Sequence, residues 1–395
     1  MTTRPDLRAL RAALAELTGA DIEPDRLRAV RAPGRVNLMG EHTDYNGGYV
    51  LPMAIGLETW MASVETDDDR ASIMQASSRE IGEFDVSDPG PARGLWIDYA
   101  AGVAVELAAL GTEIRGFRAV VASSLPQEVG LSSSAAFELA AAWTLSAQVP
   151  PPLATMDLAQ AAQRAENGYV GVRCGIMDQA AVTLGRAGAA LLLDCRSFEY
   201  RSVPLRLGDH AFVVIDSGSP RRLSSSGYNQ RRTECETAVR LLAERVAGVR
   251  SLRDVTPAML EEHASALDEV SRRRAEHVVH ENERVLAMAA ALERSEVSAA
   301  GRLLAESHAS LQRLYEVSSP ELDALVEIAA GVEGVAGSRL TGAGFGGSTV
   351  TLLRRDRFED LRAAVGEAYA RRTGLQARLY LVEPVDGVGL VPLGS

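Results

Sequence analysis

The chain has 395 residues, with 41 Lys and Arg against 53 Asp and Glu, which gives a formal net charge of −12. This acidic balance argues against a general nucleic-acid or membrane-surface binder, because both classes need a basic field. The length predicts two domains, and 46% apolar residues suffice for a sizeable core. The sequence contains no lysine, which excludes a Walker-A phosphate loop, a protein-kinase catalytic lysine and Schiff-base chemistry.

The N-terminus and the cysteines predict a reducing compartment. The first residues carry Arg and acids where a secretory signal needs an apolar run. Four leucines at helical spacing predict an amphipathic helix that docks on the protein: Leu7, Leu10, Leu14 and Leu17. The three cysteines, which lack disulfide or zinc spacing, are Cys174, Cys195 and Cys235. We expect a cytoplasmic monomer or weak homo-oligomer, with no membrane or nucleic-acid partner.

The predicted elements alternate irregularly between strand and helix. In the first half we predict strands over 28–38, 48–65, 116–126 and 187–194, with helices over 95–111, after the 130–136 loop and over 153–168. In the second half we predict a strand over 211–216 and helices over 227–247, 257–268, 271–294, 296–317 and 320–330. The end of the chain is predicted as a strand over 335–340, a loop over 341–348, a strand over 349–354, a helix over 357–373 and a strand over 376–383. This order predicts an α+β fold with a domain boundary near 200–210, and the last strand can pack back onto the first domain.

One polar loop, over residues 31–52, predicts a site for a polyol. It places Arg35, Glu41, His42 and Asp44 among glycines, which permit the tight turns that make polar side chains converge. Carboxylates and an imidazole side by side are suited to sugar hydroxyls. The alternative is a solvated polar turn.

A second loop, over residues 130–136, leads into a helix. Free backbone N–H groups and the positive end of the helix dipole form an anion site there, and one of its serine hydroxyls can ligate Mg²⁺. The alternative is an ordinary helix cap. Two acids farther along the chain are further candidates. Asp178 is either a cap or a buried functional carboxylate, and Glu166 is either functional or a surface charge.

A third loop, over residues 340–350, contains the pattern G-x-G-x-x-G at Gly342, Gly344 and Gly347. A dinucleotide site is excluded because a strand pattern follows, whereas that fingerprint must open a helix. Two interpretations remain: a glycine-rich loop that closes over phosphates or substrate, and a tight turn between strands.

Two charged clusters are interpreted as solvated helix surface. His277 and His280 have a spacing that can bind metal, but the sequence H-E-x-x-H is absent. The basic run Arg272, Arg273 and Arg274 is flanked by acids, which argues against a nucleic-acid patch.

Taken together, the loops resemble the three motifs of the GHMP small-molecule kinases. The segment GRVNLMGEHTDYNGG resembles the galactokinase signature nearly residue for residue. Agreement continues in order through GLWIDYAAGV, GLSSSAA, AENGYVGVRCGIMDQ, GYNQRRTECE and SRLTGAGFGG, so that it covers positions 31 to 347. The resemblance also fits the missing lysine, since this family binds phosphate without one.

The resemblance implies transfer of the ATP γ-phosphoryl group to the anomeric C1 hydroxyl of galactose. It implies an N-terminal domain over 1–205, resembling ribosomal protein S5 domain 2, and a ferredoxin-like C-terminal domain over 206–395, with the active site in the cleft between them. Two alternatives stay open: a related kinase for arabinose, N-acetylgalactosamine or galacturonate, and a non-catalytic sugar sensor with the same fold.

The resemblance also implies roles for individual residues. Asp178 would be the base, assisted by Arg35. Sugar-binding residues would be Glu41, His42, Asp44, Gly175 and Tyr228. ATP-binding residues would be Trp96, Gly130, Leu131, Ser132, Ser133, Ser134, Gly344 and Gly346. Ser134 and Glu166 would be the Mg²⁺ ligands, two hard oxygens that leave room for water and phosphate.

Three departures from the family pattern stand out. Glu128 replaces a glycine of the phosphate loop, where its carboxylate either points to solvent or changes nucleotide affinity or donor choice. Ser348 replaces the usual cysteine, which we expect to be harmless. The segment 216–228, which the resemblance implies to form part of the wall of the sugar pocket, matches the family sequence less closely than the other motifs do.

Overall fold

The computed structural model describes residues 4–126, 129–219 and 224–392. The helices are α1 Leu7–Thr18, α2 Asp98–Ala109, α3 Ser133–Leu145, α4 Thr155–Arg164, α5 Met177–Leu184, α6 Ser224–Ala243, α7 Pro257–Glu262, α8 Glu269–Glu293, α9 Val297–Arg313, α10 Pro320–Ala330 and α11 Phe358–Thr373. The strands are β1 Arg28–Asn37, β2 Tyr49–Val50, β3 Pro52–Glu65, β4 Arg70–Gln75, β5 Ile81–Asp85, β6 Phe117–Ser123, β7 Ala189–Asp194, β8 Tyr200–Pro204, β9 His210–Asp216, β10 Val335–Thr341, β11 Ser348–Arg354, β12 Arg378–Val382 and β13 Gly389–Leu390.

The first half is organised around a six-stranded sheet of order β13-β1-β3-β6-β4-β5. A smaller sheet, β2-β7-β8, lies beside it, so the predicted strand over 48–65 is divided between two sheets. The hydrophobic pattern does not predict β4, β5 or β8, which are short. The predicted N-terminal helix is confirmed as α1, whose Leu10 and Leu14 are buried in an apolar cluster with Trp60.

The second half contains an antiparallel sheet of order β10-β11-β9-β12. Helices α10 and α11 pack together beside it, and α9 packs along β10. The last strand, β13, pairs with β1 of the first sheet. The largest apolar cluster is continuous across residue 205: it contains Val30 and Leu139 as well as Met288 and Leu352. The halves therefore share a core and hold the loops between them in fixed positions.

Two predictions of solvated helix surface are wrong. His277 on α8 is fully buried, with Nδ1 2.8 Å from Ser310 Oγ and Nε2 3.2 Å from the Glu41 backbone oxygen. Arg274 is buried in ion pairs with Glu234 and Glu316. Burial of the polar groups is possible because partners from other elements satisfy them, and helical spacing alone does not reveal such partners. His280 is half-buried, with 41% of its side chain exposed and Nδ1 3.0 Å from Glu283 Oε2.

Within the described ranges, no helix combines the length and the apolar composition that crossing a lipid bilayer requires.

Candidate active site

A cavity of about 430 Å³ collects most of the predicted site residues. Its lining contains Arg35, Glu41, His42, Asp44, Gly130, Ser132, Ser133, Ser134, Glu166, Gly175, Asp178 and Tyr228. Residues from both halves contribute, since Gly342 and Ala343 of the β10–β11 loop also line it. A second groove of about 480 Å³, near Arg28 and Arg115, contains none of the predicted residues.

Arg35 and Asp178 form an ion pair at the centre of the cavity. Arg35 Nε donates to Asp178 Oδ1 at 2.8 Å, and Nη2 lies 2.5 Å from the same oxygen. The Arg35 side chain is 5% exposed and that of Asp178 is 29% exposed. Asp178 stands in the first turn of α5, where the helix dipole favours a negative charge. The pair thus presents a partly accessible carboxylate held by a buried cation.

The phosphate-loop segment 129–134 is held by its carbonyl groups. Arg35 Nη1 donates to the Gly130 oxygen at 2.5 Å, and the Arg35 backbone N–H donates to the Leu131 oxygen at 3.1 Å. Ser348 Oγ donates to the Val129 oxygen at 3.0 Å. Gly34 permits this close approach of β1, because a Cβ there would lie 2.7 Å from the Leu131 oxygen.

The amide groups of the same segment are left for a ligand. No backbone acceptor among the described residues takes the N–H groups of residues 130–132, and the first N–H groups of α3 have no partner within the helix. Ser132 adopts a left-handed conformation with φ of 61° and does not cap the helix with its side chain. A run of unclaimed amides at a helix N-terminus is an anion site.

Glu41 connects the first polar loop to the C-terminal half. Its Oε1 accepts from the Gly342 backbone N–H at 2.9 Å and from Thr341 Oγ1 at 3.3 Å. Its Oε2 accepts from Asn37 Nδ2 at 2.8 Å and from Arg339. Glu41 is 1% exposed, and both oxygens already have two donors. Its main contribution is therefore to hold the wall of the cavity in place.

His42 is buried and neutral. Its Nε2 lies 3.1 Å from the Ala343 carbonyl oxygen, which can only accept, so Nε2 carries the hydrogen. Its Nδ1 accordingly accepts from the Tyr45 hydroxyl at 2.9 Å. Burial, together with nearby His277, lowers the pKa of His42 to about 3. The imidazole therefore ties the polar loop to the glycine-rich loop over the cavity.

Asp44 and Gly175 are in direct contact. A Cβ on Gly175 would lie 1.9 Å from Asp44 Oδ2, so only glycine leaves room for the carboxylate. The Tyr45 backbone N–H donates to Asp44 Oδ1 at 2.9 Å. Burial, and then the charge of Asp178, raises the pKa of Asp44 to about 6. The ring of Tyr228, on α6, lies 5.8 Å from that of His42.

Glu166 is buried, so the interpretation as a surface charge is wrong. It lies in a π-helical turn, Ala165–Val170, and is 6% exposed. Burial, and then the charge of Asp178, raises its pKa to about 7, while a hydrogen bond from the Ser134 hydroxyl opposes the shift. Ser134 and Glu166 therefore supply adjacent hard oxygens, as Mg²⁺ requires.

The described residues contain no group of three or more His, Cys, Asp or Glu side chains arranged around one metal position. A metal at Ser134 and Glu166 would thus take its remaining ligands from phosphate oxygens and water.

Four predicted ATP residues lie outside the lining of the cavity. Leu131 is 1% exposed and packs in the core. Trp96 packs against Phe137 of α3, with ring centroids 5.6 Å apart, and donates to Glu80. Gly344 and Gly346 lie farther along the β10–β11 loop. Glu128 and part of the segment 216–228 lie outside the described residues, so the expectations for them stay open.

Sequence reasoning missed several polar residues around the cavity. Arg339, Glu138 and Gln179 are all fully buried. The sequence indicates that Glu138 is unusual, since this carboxylate lies within the apolar run AAFELAAA. No sequence pattern identifies Arg339, because its partners come from distant parts of the sequence.

Comparisons with known proteins identify the family of the chain. Three family models match consecutive parts of the chain: the galactokinase galactose-binding signature over residues 15–63, the GHMP kinases N terminal domain over 98–186 and the GHMP kinases C terminal over 288–371. The galactokinase of Roseiflexus sp. (strain RS-1) is 46% identical over 362 residues, which are 92% of each chain. The chain belongs to the galactokinase family of GHMP kinases. The galactokinase of Bacillus subtilis (strain 168) is 38% identical and covers 92% of this chain and 95% of that protein.

Two solved structures have a similar fold. The Lactococcus lactis galactokinase complexed with galactose has a TM-score of 0.92 at 35% identity, covering 98% of this chain and 100% of that chain. The Methanococcus jannaschii mevalonate kinase has a TM-score of 0.63 at 18% identity, covering 91% and 98%, and so shows likeness of fold alone. The predicted α+β fold with two GHMP kinase domains is confirmed.

Proposed function

We propose that the protein transfers the γ-phosphoryl group of ATP to the C1 hydroxyl of galactose. Family membership makes it a kinase with ATP as co-substrate. One observation carries the substrate and mechanism: the Arg35–Asp178 pair lies in one cavity between the phosphate loop and the polar loop that matches the galactose-binding signature. The cavity lies where the proposed domains, 1–205 and 206–395, meet. We further expect a cytoplasmic monomer or weak homo-oligomer.

The proposed reaction needs positioning and charge neutralisation. Asp178 accepts the proton of the C1 hydroxyl, the C1 oxygen forms a bond to the γ-phosphorus, and the bond to the bridging oxygen breaks with its electron pair leaving on ADP. Arg35 neutralises charge on the transferred group from beside the carboxylate. The unclaimed amides of residues 130–134 receive the phosphates.

Ser134 and Glu166 are the proposed holders of Mg²⁺. Their adjacent oxygens fit a hard cation, which would neutralise phosphate charge when bound.

The proposed sugar wall consists of Asp44, His42, Gly175 and Tyr228, with Glu41 bracing it. Asp44 accepts hydrogen bonds from sugar hydroxyls, and Gly175 leaves the space that this carboxylate needs.

The test is release of ADP from MgATP with galactose, arabinose, N-acetylgalactosamine, galacturonate or no sugar. We expect release with galactose. Asp178→Asn should lower kcat by at least about a hundredfold, because general-base catalysis contributes that much, and should spare galactose binding in calorimetry. Asp209→Asn, at a carboxylate that is 75% exposed, is the matched control and should behave as wild type.

Each other outcome identifies an error. Release with another sugar only would reject galactose as the substrate and keep the reaction. Binding of galactose without release would favour the sensor. Full activity of Asp178→Asn would reject the base assignment.

A further inference from the structure

Glu138 is a buried carboxyl group that the proposed reaction does not use. It is fully buried on α3, among alanines, and does not line the cavity. Its Oε1 has no hydrogen-bond donor among the described residues. Burial of a carboxyl group without full hydrogen bonding costs folding free energy. Its presence on an apolar helix therefore indicates a specific role.

Helix α3 directs Glu138 toward the proposed metal site. Ser134 and Glu138 are four residues apart on α3, which places both side chains on one face of the helix. Ser134 and Glu166 both line the cavity, and the Ser134 hydroxyl is near enough to lower the pKa of Glu166. Glu138 reaches Glu166 through one intermediate residue, Gln179.

Gln179 joins the two carboxyl groups with a single amide. Its Nε2 donates to Glu166 Oε2 at 2.6 Å and to Glu138 Oε2 at 3.1 Å. The side chain is fully buried, and it follows Asp178 directly on α5. The same helix turn therefore carries the proposed base and the group that fixes Glu166.

We propose that Gln179 and Glu138 form a buried bracket that holds Glu166 at the position where it ligates the metal. Both are positioning residues, since neither lines the cavity. Glu138 anchors one hydrogen of the Gln179 amide, which directs the other hydrogen to Glu166 Oε2 and leaves Glu166 Oε1 for the cation. The inference rests on the proposed function, because it takes Glu166 as a metal ligand.

The test is Gln179→Met, which keeps the side-chain volume and removes the amide. Mn²⁺ serves as the probe, with the non-hydrolysable analogue adenylyl imidodiphosphate, and free Mn²⁺ is measured by electron paramagnetic resonance. We expect Mn²⁺ affinity to fall about tenfold, as for other residues that orient a metal ligand. Galactose affinity, measured by calorimetry, should not change.

Two substitutions at Glu138 distinguish loss of its hydrogen bond with Gln179 from a general loss of stability. Glu138→Gln keeps an oxygen that accepts from Gln179 and should retain wild-type Mn²⁺ affinity. Glu138→Leu removes that acceptor and should weaken Mn²⁺ binding in the same direction as Gln179→Met. Thr183→Val is the matched control: it removes a buried hydroxyl from α5, whose only partner in the described structure is the Gln179 backbone oxygen, and should change neither affinity.

Glu166→Gln distinguishes failure of the bracket from failure of the metal site. If Glu166→Gln weakens Mn²⁺ binding and folded Gln179→Met does not, the bracket is wrong and the metal site stands. If Glu166→Gln leaves Mn²⁺ affinity unchanged, the metal assignment itself is wrong, and the bracket falls with it. Equal losses of Mn²⁺ and galactose affinity in Gln179→Met, or equal losses in both Glu138 variants, would also overturn the proposal.

Discussion

At the scale of single residues, burial sets the protonation of the cavity. The pKa of Asp44 is raised to about 6 and that of His42 is lowered to about 3, with burial as the largest cause of each shift. His42 is therefore neutral near pH 7, whereas Asp44 changes its protonation around pH 6. A carboxyl group accepts hydrogen bonds fully from sugar hydroxyls only when it is ionised. The raised pKa of Asp44 therefore affects sugar binding, whereas the lowered pKa of His42 keeps the imidazole neutral.

Galactose binding should weaken as the pH falls through about 6. The folded-state pKa of Asp44 lies above its ordinary value, so its carboxyl group is protonated in the acid range and loses acceptor capacity. Between about pH 7 and about pH 5 the ionised fraction falls about tenfold, and KM for galactose should rise by about that factor. Asp44→Asn should have a high KM that does not vary with pH, and a wild-type KM that stays constant over this range would contradict the assignment.

The raised pKa of Asp44 has the opposite effect on stability: it stabilises the folded protein at low pH. Folded Asp44 binds a proton more tightly than the unfolded chain does, so its contribution to the free energy of unfolding is largest below about pH 4 and is lost as the pH rises through about 6.

Gly175→Ala should damage galactose binding without unfolding the protein. The new Cβ would meet Asp44 Oδ2 at 1.9 Å, so the carboxylate must move. We expect KM for galactose to rise about tenfold or more, with KM for ATP unchanged, as steady-state kinetics would show. Gly366→Ala, where a Cβ meets nothing within 4 Å, is the control. Equal kinetics of the two variants would mean that Asp44 does not touch the sugar.

At the scale of elements, the phosphate loop depends on contacts from both halves of the chain. Arg35 on β1 holds two of its carbonyls, and Ser348 at the start of β11 holds a third. The cysteine that the family usually has at the position of Ser348 is a weaker donor than a hydroxyl. Ser348 therefore holds the Val129 carbonyl group more strongly than that cysteine would, and the expectation that the substitution is harmless stays a prediction.

Ser348→Ala should raise KM for ATP by a few-fold and leave KM for galactose unchanged. Loss of one neutral hydrogen bond is worth roughly 1 kcal/mol, which corresponds to about fivefold. The neighbouring Thr349 is equally buried, and its hydroxyl has no partner among the residues described. Thr349→Val should therefore leave both KM values at wild type. If the two variants behave alike, the Ser348 hydrogen bond does not order the loop.

At the scale of the whole molecule, one buried arginine joins distant parts of the chain. Arg339 on β10 is fully buried, and its Nη1 donates to Ser307 Oγ at 2.9 Å and to Glu281 Oε1 at 3.3 Å. Its Nη2 donates to the Asn37 backbone oxygen at 3.0 Å and to Glu41. Strand β1, helices α8 and α9 and the polar loop thus share one buried cation.

Arg339→Met should destabilise the protein by about 3–5 kcal/mol, because it removes the ion-pair partner of buried Glu41 and leaves buried Glu281 paired with Arg284 only among the described residues. Urea unfolding measures the change. Arg372→Ala, which removes an exposed ion pair with Glu327, is the control and should have no measurable effect. If the two variants are equally stable, the buried network does not hold the halves together.

The sequence by itself determined the family, the α+β class and most of the cavity. The reason is that the residues with chemical roles lie in short segments, in which residue type and spacing alone indicate the chemistry. These residues are Arg35, Asp44, Asp178 and Ser134. Helices such as α10 were predictable because their hydrophobic period is undisturbed.

Only the tertiary structure decided the burial of polar groups and their partners. Arg339, His277, Glu138 and Gln179 each have partners from distant segments, and a hydrophobic pattern within one element carries no information about them. Glu166 resembles a surface charge in sequence, and it is buried because α2 packs against its turn and Gln179 of α5 donates to its carboxylate. The physical reason is the same in each case: the cost of burying a polar group is repaid by partners that only the assembled fold supplies.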